Sequence, residues 1–151
     1  MSRPIFLNGA LCAFGLCCAT LASAQCSLQR LAPQDDRITL GRLTITLGQA
    51  DHPEQPTAWQ GPLRAGRCTF DIGIIEQPLA LTPSGDLYVA TYSGSEREIA
   101  LYDLKTCKPR WKSAVFAGKL ELTSSVLQMG EKTVKLDGQC LPRERATIAK
   151  P

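Results

Sequence analysis

The sequence predicts an all-β protein of antiparallel sheets braced by two disulfides. Segments with period-2 apolar alternation dominate it, helical periodicity is scarce, and an even set of cysteines remains once an export signal is removed. With 44% hydrophobic and 21% charged residues, the composition is that of a folded protein rather than a disordered linker. A net charge of +3 over 151 residues is too thin to define a polyanion-binding surface.

The N-terminus decides which residues remain to fold. Arg3 is the only charge before Arg30, and the apolar, small-residue run from Ile5 to Ala22 ends in Ala22-Ser23-Ala24, a small-x-small cleavage pattern. Residues 1–24 are therefore expected to be a secretory signal peptide and 25–151 a single β domain, with no stable membrane anchor after cleavage. Cys26 follows Gln25 rather than a small residue, which argues against a lipid anchor. Removing 24 of 151 residues takes Arg3 with it, lowering the net charge to +2, and leaves Cys26, Cys68, Cys107 and Cys140. Four cysteines in an oxidising compartment predict two disulfides. Spacing leaves three pairings open, and the preference for neighbouring segments favours Cys26–Cys68 with Cys107–Cys140.

Along the mature chain, Cys26 to Leu31 is the one stretch that could form a short helical turn, ended by Pro33. Strands are predicted over Arg37 to Leu47 (broken by Gly41), Cys68 to Ile75, Leu87 to Tyr92, Ile99 to Leu104, Val126 to Met129 and Thr133 to Leu136. Gly48 to Gly66, with Pro53, Pro56 and Pro62, reads as a long surface loop with Trp59 tucked onto the core. Leu79 to Tyr92 reads as a hairpin turned at Pro83-Ser84-Gly85-Asp86. Leu87 and Val89 point to one face of its second strand and Tyr88, Ala90 and Tyr92 to the other, so this strand should be central and covered on both sides.

The next parts run in the order polar turn Ser93-Gly94-Ser95-Glu96, strand ending in Tyr102-Asp103-Leu104, short turn, and strand opening on Trp111. This order resembles a blade of a quinoprotein or WD β-propeller, with Cys107 standing in a turn that usually carries glycine. The mature cysteines recur at 42, 39 and 33 residues, and Cys140 before Pro142-Arg143 echoes Cys107 before Pro109-Arg110. A closed ring needs about four or more four-stranded blades, so the expectation is a partial, propeller-like arrangement, with a β-sandwich as the alternative.

Catalysis has little to draw on. His52, the only histidine, lies on the proline-rich stretch, and the mature cysteines are expected to be oxidised. The carboxylate pairs Asp35-Asp36 and Glu96/Glu98 lie in polar turn contexts where solvated charge explains them. No phosphate loop, dinucleotide fingerprint, metal motif or nucleic-acid-binding pattern is present, so no enzyme activity, cofactor, metal or nucleic-acid partner is expected. What remains is a binding protein, and its one distinctive exposed element is Tyr92, Ser93, Gly94, Ser95, Glu96 and Arg97. A small Ser-Gly tip on a stiff hairpin can enter a narrow cleft, offering a hydroxyl and unencumbered amides.

Taken together, these features resemble the periplasmic immunity proteins of type VI secretion systems that neutralise peptidoglycan amidase effectors. The resemblance spans roughly Leu79 to Cys140 and rests on the Asp86-to-Tyr92 strand, the Ser93-Gly94 tip and the pattern from Tyr102-Asp103-Leu104 to Trp111. It implies a periplasmic inhibitor whose Ser93 meets the catalytic His or Cys of an amidase, with Gly94 permitting close approach and Tyr92, Glu96 and Arg97 lining the rim. Periplasmic lysozyme inhibitors also use a Ser-Gly loop, but the Tyr or Lys-Tyr that follows it there is replaced here by Ser95-Glu96-Arg97. A non-catalytic subunit of an envelope or secretion assembly is the further alternative.

Overall fold

A computed structural model describes residues 26–144, so the expected signal peptide and the residues from 145 on lie outside the described part. Its chain is built of strands joined by turns, with no helix among the described residues. Three eight-residue strands, β7 (Ile74–Leu81), β8 (Asp86–Ser93) and β9 (Glu96–Asp103), form an antiparallel meander at the centre. β1 (Gln29–Leu31) and β10 (Lys108–Lys112) flank it to give the order β1-β7-β8-β9-β10. β4 (Ala58–Gln60) adds to β7, and β11 (Phe116–Ala117) to β9.

Two smaller antiparallel sheets complete the fold. One is the four-stranded β2 (Arg37–Leu40), β3 (Leu43–Thr46), β5 (Leu63–Ala65) and β6 (Cys68–Phe70). The other is the three-stranded β12 (Leu120–Leu122), β13 (Val126–Met129) and β14 (Lys132–Lys135). The alternation along β8 decides how they stack. Leu87 and Val89, with Leu79 and Leu81 opposite them on β7, share a core with Ile45, Leu63 and Phe70 of the four-stranded sheet. Tyr88, with Ile99 and Leu101 of β9, shares a second core with Leu122, Leu127 and Val134 of the three-stranded sheet. The central sheet is thus covered on both faces, as the doubly apolar strand predicted. Consecutive antiparallel sheets packed face to face are common to the propeller-like and sandwich readings.

The disulfides correct the expected pairing. Cys26 bonds Cys140 and Cys68 bonds Cys107. Each bond ties one outer sheet to the central one: Cys68 lies on β6 and Cys107 after β9, while Cys26 precedes β1 and Cys140 follows β14. Sequence proximity failed as a guide because the layers are stacked, so each cysteine meets the one across its own core. Cys107 and Cys140 both have positive φ, 57° and 63°, the conformation the missing turn glycine would supply. An aspartate orders each turn. Asp103 Oδ1 accepts from the amides of Lys105 and Thr106, and Asp137 Oδ1 from those of Gln139 and Leu141.

Several local expectations also change. Cys68 to Ile75 is not one strand but β6 and the start of β7, with residues 71–73 between them, and the strand expected to open on Trp111 is β10, which begins at Lys108. Gln29–Leu31 is not helical but pairs with Leu79–Leu81, because a three-residue segment takes the ladder offered by a long neighbouring strand. Arg37 to Leu47 is a hairpin, reversed at Gly41 with φ +56°. The stretch from Gly48 to Gly66 is only partly loop, since it contributes β4 and β5. Trp59 is buried there as expected, and its Nε1 donates to Asp35 O at 2.9 Å. Gly61 is required by close approach, since a Cβ there would lie 1.8 Å from Ile72 O.

Candidate functional site

The hairpin between β8 and β9 closes in two residues. Ser93 pairs with Glu96, leaving Gly94 and Ser95 as the turn. Gly94 has φ +63° and Ser95 does not share the positive φ, which is the two-residue type II′ pattern with glycine first. This turn continues the right-handed twist of its strands, so the tip extends a fully paired ladder running from Asp86↔Asp103 to Ser93↔Glu96.

The predicted residues divide by environment. Ser93, Gly94, Ser95 and Glu96 are exposed, and Tyr92 and Arg97 are half-buried at their base. Among the described residues, the side chains of Ser93, Ser95 and Glu96 make no intramolecular hydrogen bond or ion pair, so their polar atoms remain available to a partner. A Cβ at Gly94 would meet nothing within 4 Å, so the tip is sterically open as well.

Arg97 differs. Its Nε lies 2.8 Å from Glu76 Oε1 and its Nη1 donates to Gly118 O at 2.8 Å, fastening β9 to β7 and to the turn after β11. It supports the site rather than offering a free cation. Glu98 is similarly engaged, 2.8 Å from Lys112 Nζ, which accounts for half of the Glu96/Glu98 pair considered from the sequence.

Sequence reasoning missed what stands beside the tip. A groove of about 240 Å³ runs between Tyr92, Ser93 and Glu96 on the hairpin and Val115 on the link from β10 to β11. Val115 is 57% exposed, the one large apolar side chain left open among the described residues. Its apolar neighbourhood, Ala114-Val115-Phe116-Ala117, carries no mark of exposure in the sequence, and only the packing shows Val115 facing outward. A larger depression of about 600 Å³, which Tyr92 also lines, lies against Ala50, Trp59 and Ile74.

His52 lies far along the chain, on an exposed turn organised by Asp51. The Asp51 carboxylate accepts from Thr57 Oγ1 at 2.6 Å, from the amides of Thr57, Ala58 and His52, and is held well below the usual carboxylate range, chiefly by the Thr57 hydroxyl. His52 Nδ1 accepts from the amides of Glu54 and Gln55, each at 3.3 Å, which employs it in the turn. Asp35 is an exposed turn residue with φ 59°. No described grouping of three His, Cys, Asp or Glu side chains could hold a metal ion.

Comparison with protein-family models, curated proteins and solved structures finds no match to this chain. The geometry of the tip and its surroundings therefore carries the functional argument. The two disulfides are consistent with an oxidising compartment, extracellular or periplasmic.

Proposed function

We propose that this protein is a non-catalytic periplasmic inhibitor of a peptidoglycan amidase toxin, protecting its own cell by lodging the Ser93-Gly94-Ser95 tip in the toxin's active-site cleft. The observation that supports this reading is an uncommitted tip on a committed scaffold. Hydroxyls and amides without intramolecular partners project from the strand pair at the middle of a sheet packed on both faces. A tip already ordered in this way loses little conformational entropy on entering a cleft. The cleft of a cysteine-histidine amidase is narrow and polar, and a Ser-Gly turn offers it a hydroxyl and backbone amides without bulk. Inhibition of this kind needs no chemistry from the inhibitor, which agrees with the use of all four described cysteines in crosslinks.

The test is titration of the mature protein, residues 25–151, against purified peptidoglycan amidases from the same genome, with a lysozyme as control and wall hydrolysis as readout. Stoichiometric loss of amidase activity is expected, and the lysozyme should be unaffected. Ser93→Trp should abolish inhibition while moving the thermal midpoint little, since exposed turn substitutions cost within about 0.5 kcal/mol. Ser95→Trp serves as a second probe, because any side chain at Gly94 would be strained by its φ. Full inhibition by both variants, or no amidase inhibited by the wild type, would overturn the proposal.

A further inference from the structure

The groove beside the tip has a chemistry of its own. Val115 forms its apolar wall, and this wall is held rather than loose. The neighbouring Ser113 is buried, its amide donates to Ile99 O at 2.9 Å, and its Oγ accepts from the Ile99 amide at 3.1 Å. On the far side Phe116 pairs with Arg97 in the sheet. The exposed valine is thereby held in a fixed place by backbone pairing on both sides.

The charges of the groove are almost all neutralised within the protein. Arg97 is taken by Glu76 and Gly118 O, and Glu98 by Lys112. Glu96 is the charge left over, with no ion-pair partner among the described residues, and it lines the same groove, on the same face of the sheet, as Thr91 and Val115. An apolar wall ending at an uncompensated carboxylate is complementary to an aliphatic stem ending in a cation, which is the build of lysine and arginine.

We infer that this groove is a second docking point for the inhibited enzyme, seating a lysine or arginine from the rim of its cleft with the stem along Thr91 and Val115 and the charge at Glu96. The inference rests on the inhibitor reading and extends its contact from the tip to the link between β10 and β11. It also assigns Glu96 a role distinct from that of Ser93. The tip blocks the active site, while the groove selects which amidase is blocked, because a like charge at the rim would be repelled.

The experiment uses an amidase that the wild-type protein inhibits and measures the dissociation constant by titration calorimetry for Glu96→Gln, Glu96→Lys and Val115→Asp. Each variant should bind about tenfold more weakly or worse, with Glu96→Lys the weakest and thermal midpoints unchanged. The wild-type affinity should fall as salt is raised to about 0.5 M, and that dependence should flatten in Glu96→Gln. Replacing the matching lysine or arginine of the amidase by glutamate should restore binding to Glu96→Lys. Binding of all three variants within about twofold of wild type, while Ser93→Trp abolishes inhibition, would overturn the groove and leave the tip standing. If the wild type inhibits no amidase, the functional reading fails and the groove assignment with it. Val115→Ala, which introduces no charge, separates loss of the apolar wall from misfolding should Val115→Asp lower the thermal midpoint.

Discussion

The two ends of the β8–β9 hairpin have the same strands and opposite chemistry. At the end where Asp86 faces Asp103, nearly every polar group is engaged. Asp86 Oδ2 accepts from Arg110 Nη1 at 2.5 Å and from Ser84 Oγ at 2.8 Å, and the Asp86 amide donates to Thr82 Oγ1 at 3.0 Å. Asp103 orders the following turn, and that turn ends on the crosslinked Cys107. At the other end, the side chains of Ser93, Ser95 and Glu96 are committed to nothing among the described residues. One end is built to hold the layers together and the other to be presented. Substitutions at the first should therefore change stability and spare binding, and those at the second should do the reverse.

The largest effect belongs to the crosslinks. In the chain-entropy account, the Cys68–Cys107 bridge, with a separation of 39 residues, contributes about 4 kcal/mol, and Cys26–Cys140, with a separation of 114, about 5 kcal/mol. Paired Cys→Ala variants measured by urea unfolding should lose stability in that order. Equal, negligible losses would mean that the layers hold without their ties.

Asp86→Ala is expected to cost about 2 kcal/mol. The carboxylate is buried with its hydrogen bonds, but Arg110 is 42% exposed and can return to water, so the loss falls short of that for a fully buried pair. Inhibition should survive it, and its loss in a folded Asp86→Ala protein would break the division between the two ends.

Tyr88→Phe probes the sheet between those ends. The Tyr88 hydroxyl donates to Cys140 O at 2.7 Å, and burial, followed by the charges of Asp137 and Asp86, pushes the phenol up from its ordinary value near 10. A raised folded-state pKa means that this contribution is complete below about pH 10 and lost as pH rises toward the folded value. Tyr88→Phe should cost about 1 kcal/mol near neutrality and flatten part of the alkaline decline in the thermal midpoint. Tyr102, also raised by burial and by Glu98, should contribute in the same direction. The smallest change in stability is expected at the tip, where Ser93→Trp should leave unfolding within about 0.5 kcal/mol of wild type.

Much of this division was legible in the sequence. The alternation of Leu87, Tyr88 and Val89 showed a strand covered on both faces, and Pro83-Ser84-Gly85-Asp86 and Ser93-Gly94-Ser95-Glu96 marked both reversals. The echo between Cys107 and Cys140 was visible as a faint repeat, and the structure gives it a physical content in two aspartate-ordered turns with left-handed cysteines. Arg97 was legible as a member of the site but not as its fastening, because Glu76 lies 21 residues away across β8. Val115 carried no signal at all, since nothing in an apolar run marks which of its side chains stays exposed.

What the sequence determined alone is local in its physics. Period-2 alternation and a glycine or proline at a turn depend on neighbours a few residues away, and they suffice for an all-β chain with a presented Ser-Gly tip. The pairing of the cysteines, the stacking of three sheets, the strand at Gln29–Leu31 and the exposure of Val115 were decided only by the tertiary structure. Each depends on which distant surfaces bury each other, and that choice is made by non-local apolar contact, which no short window of sequence contains.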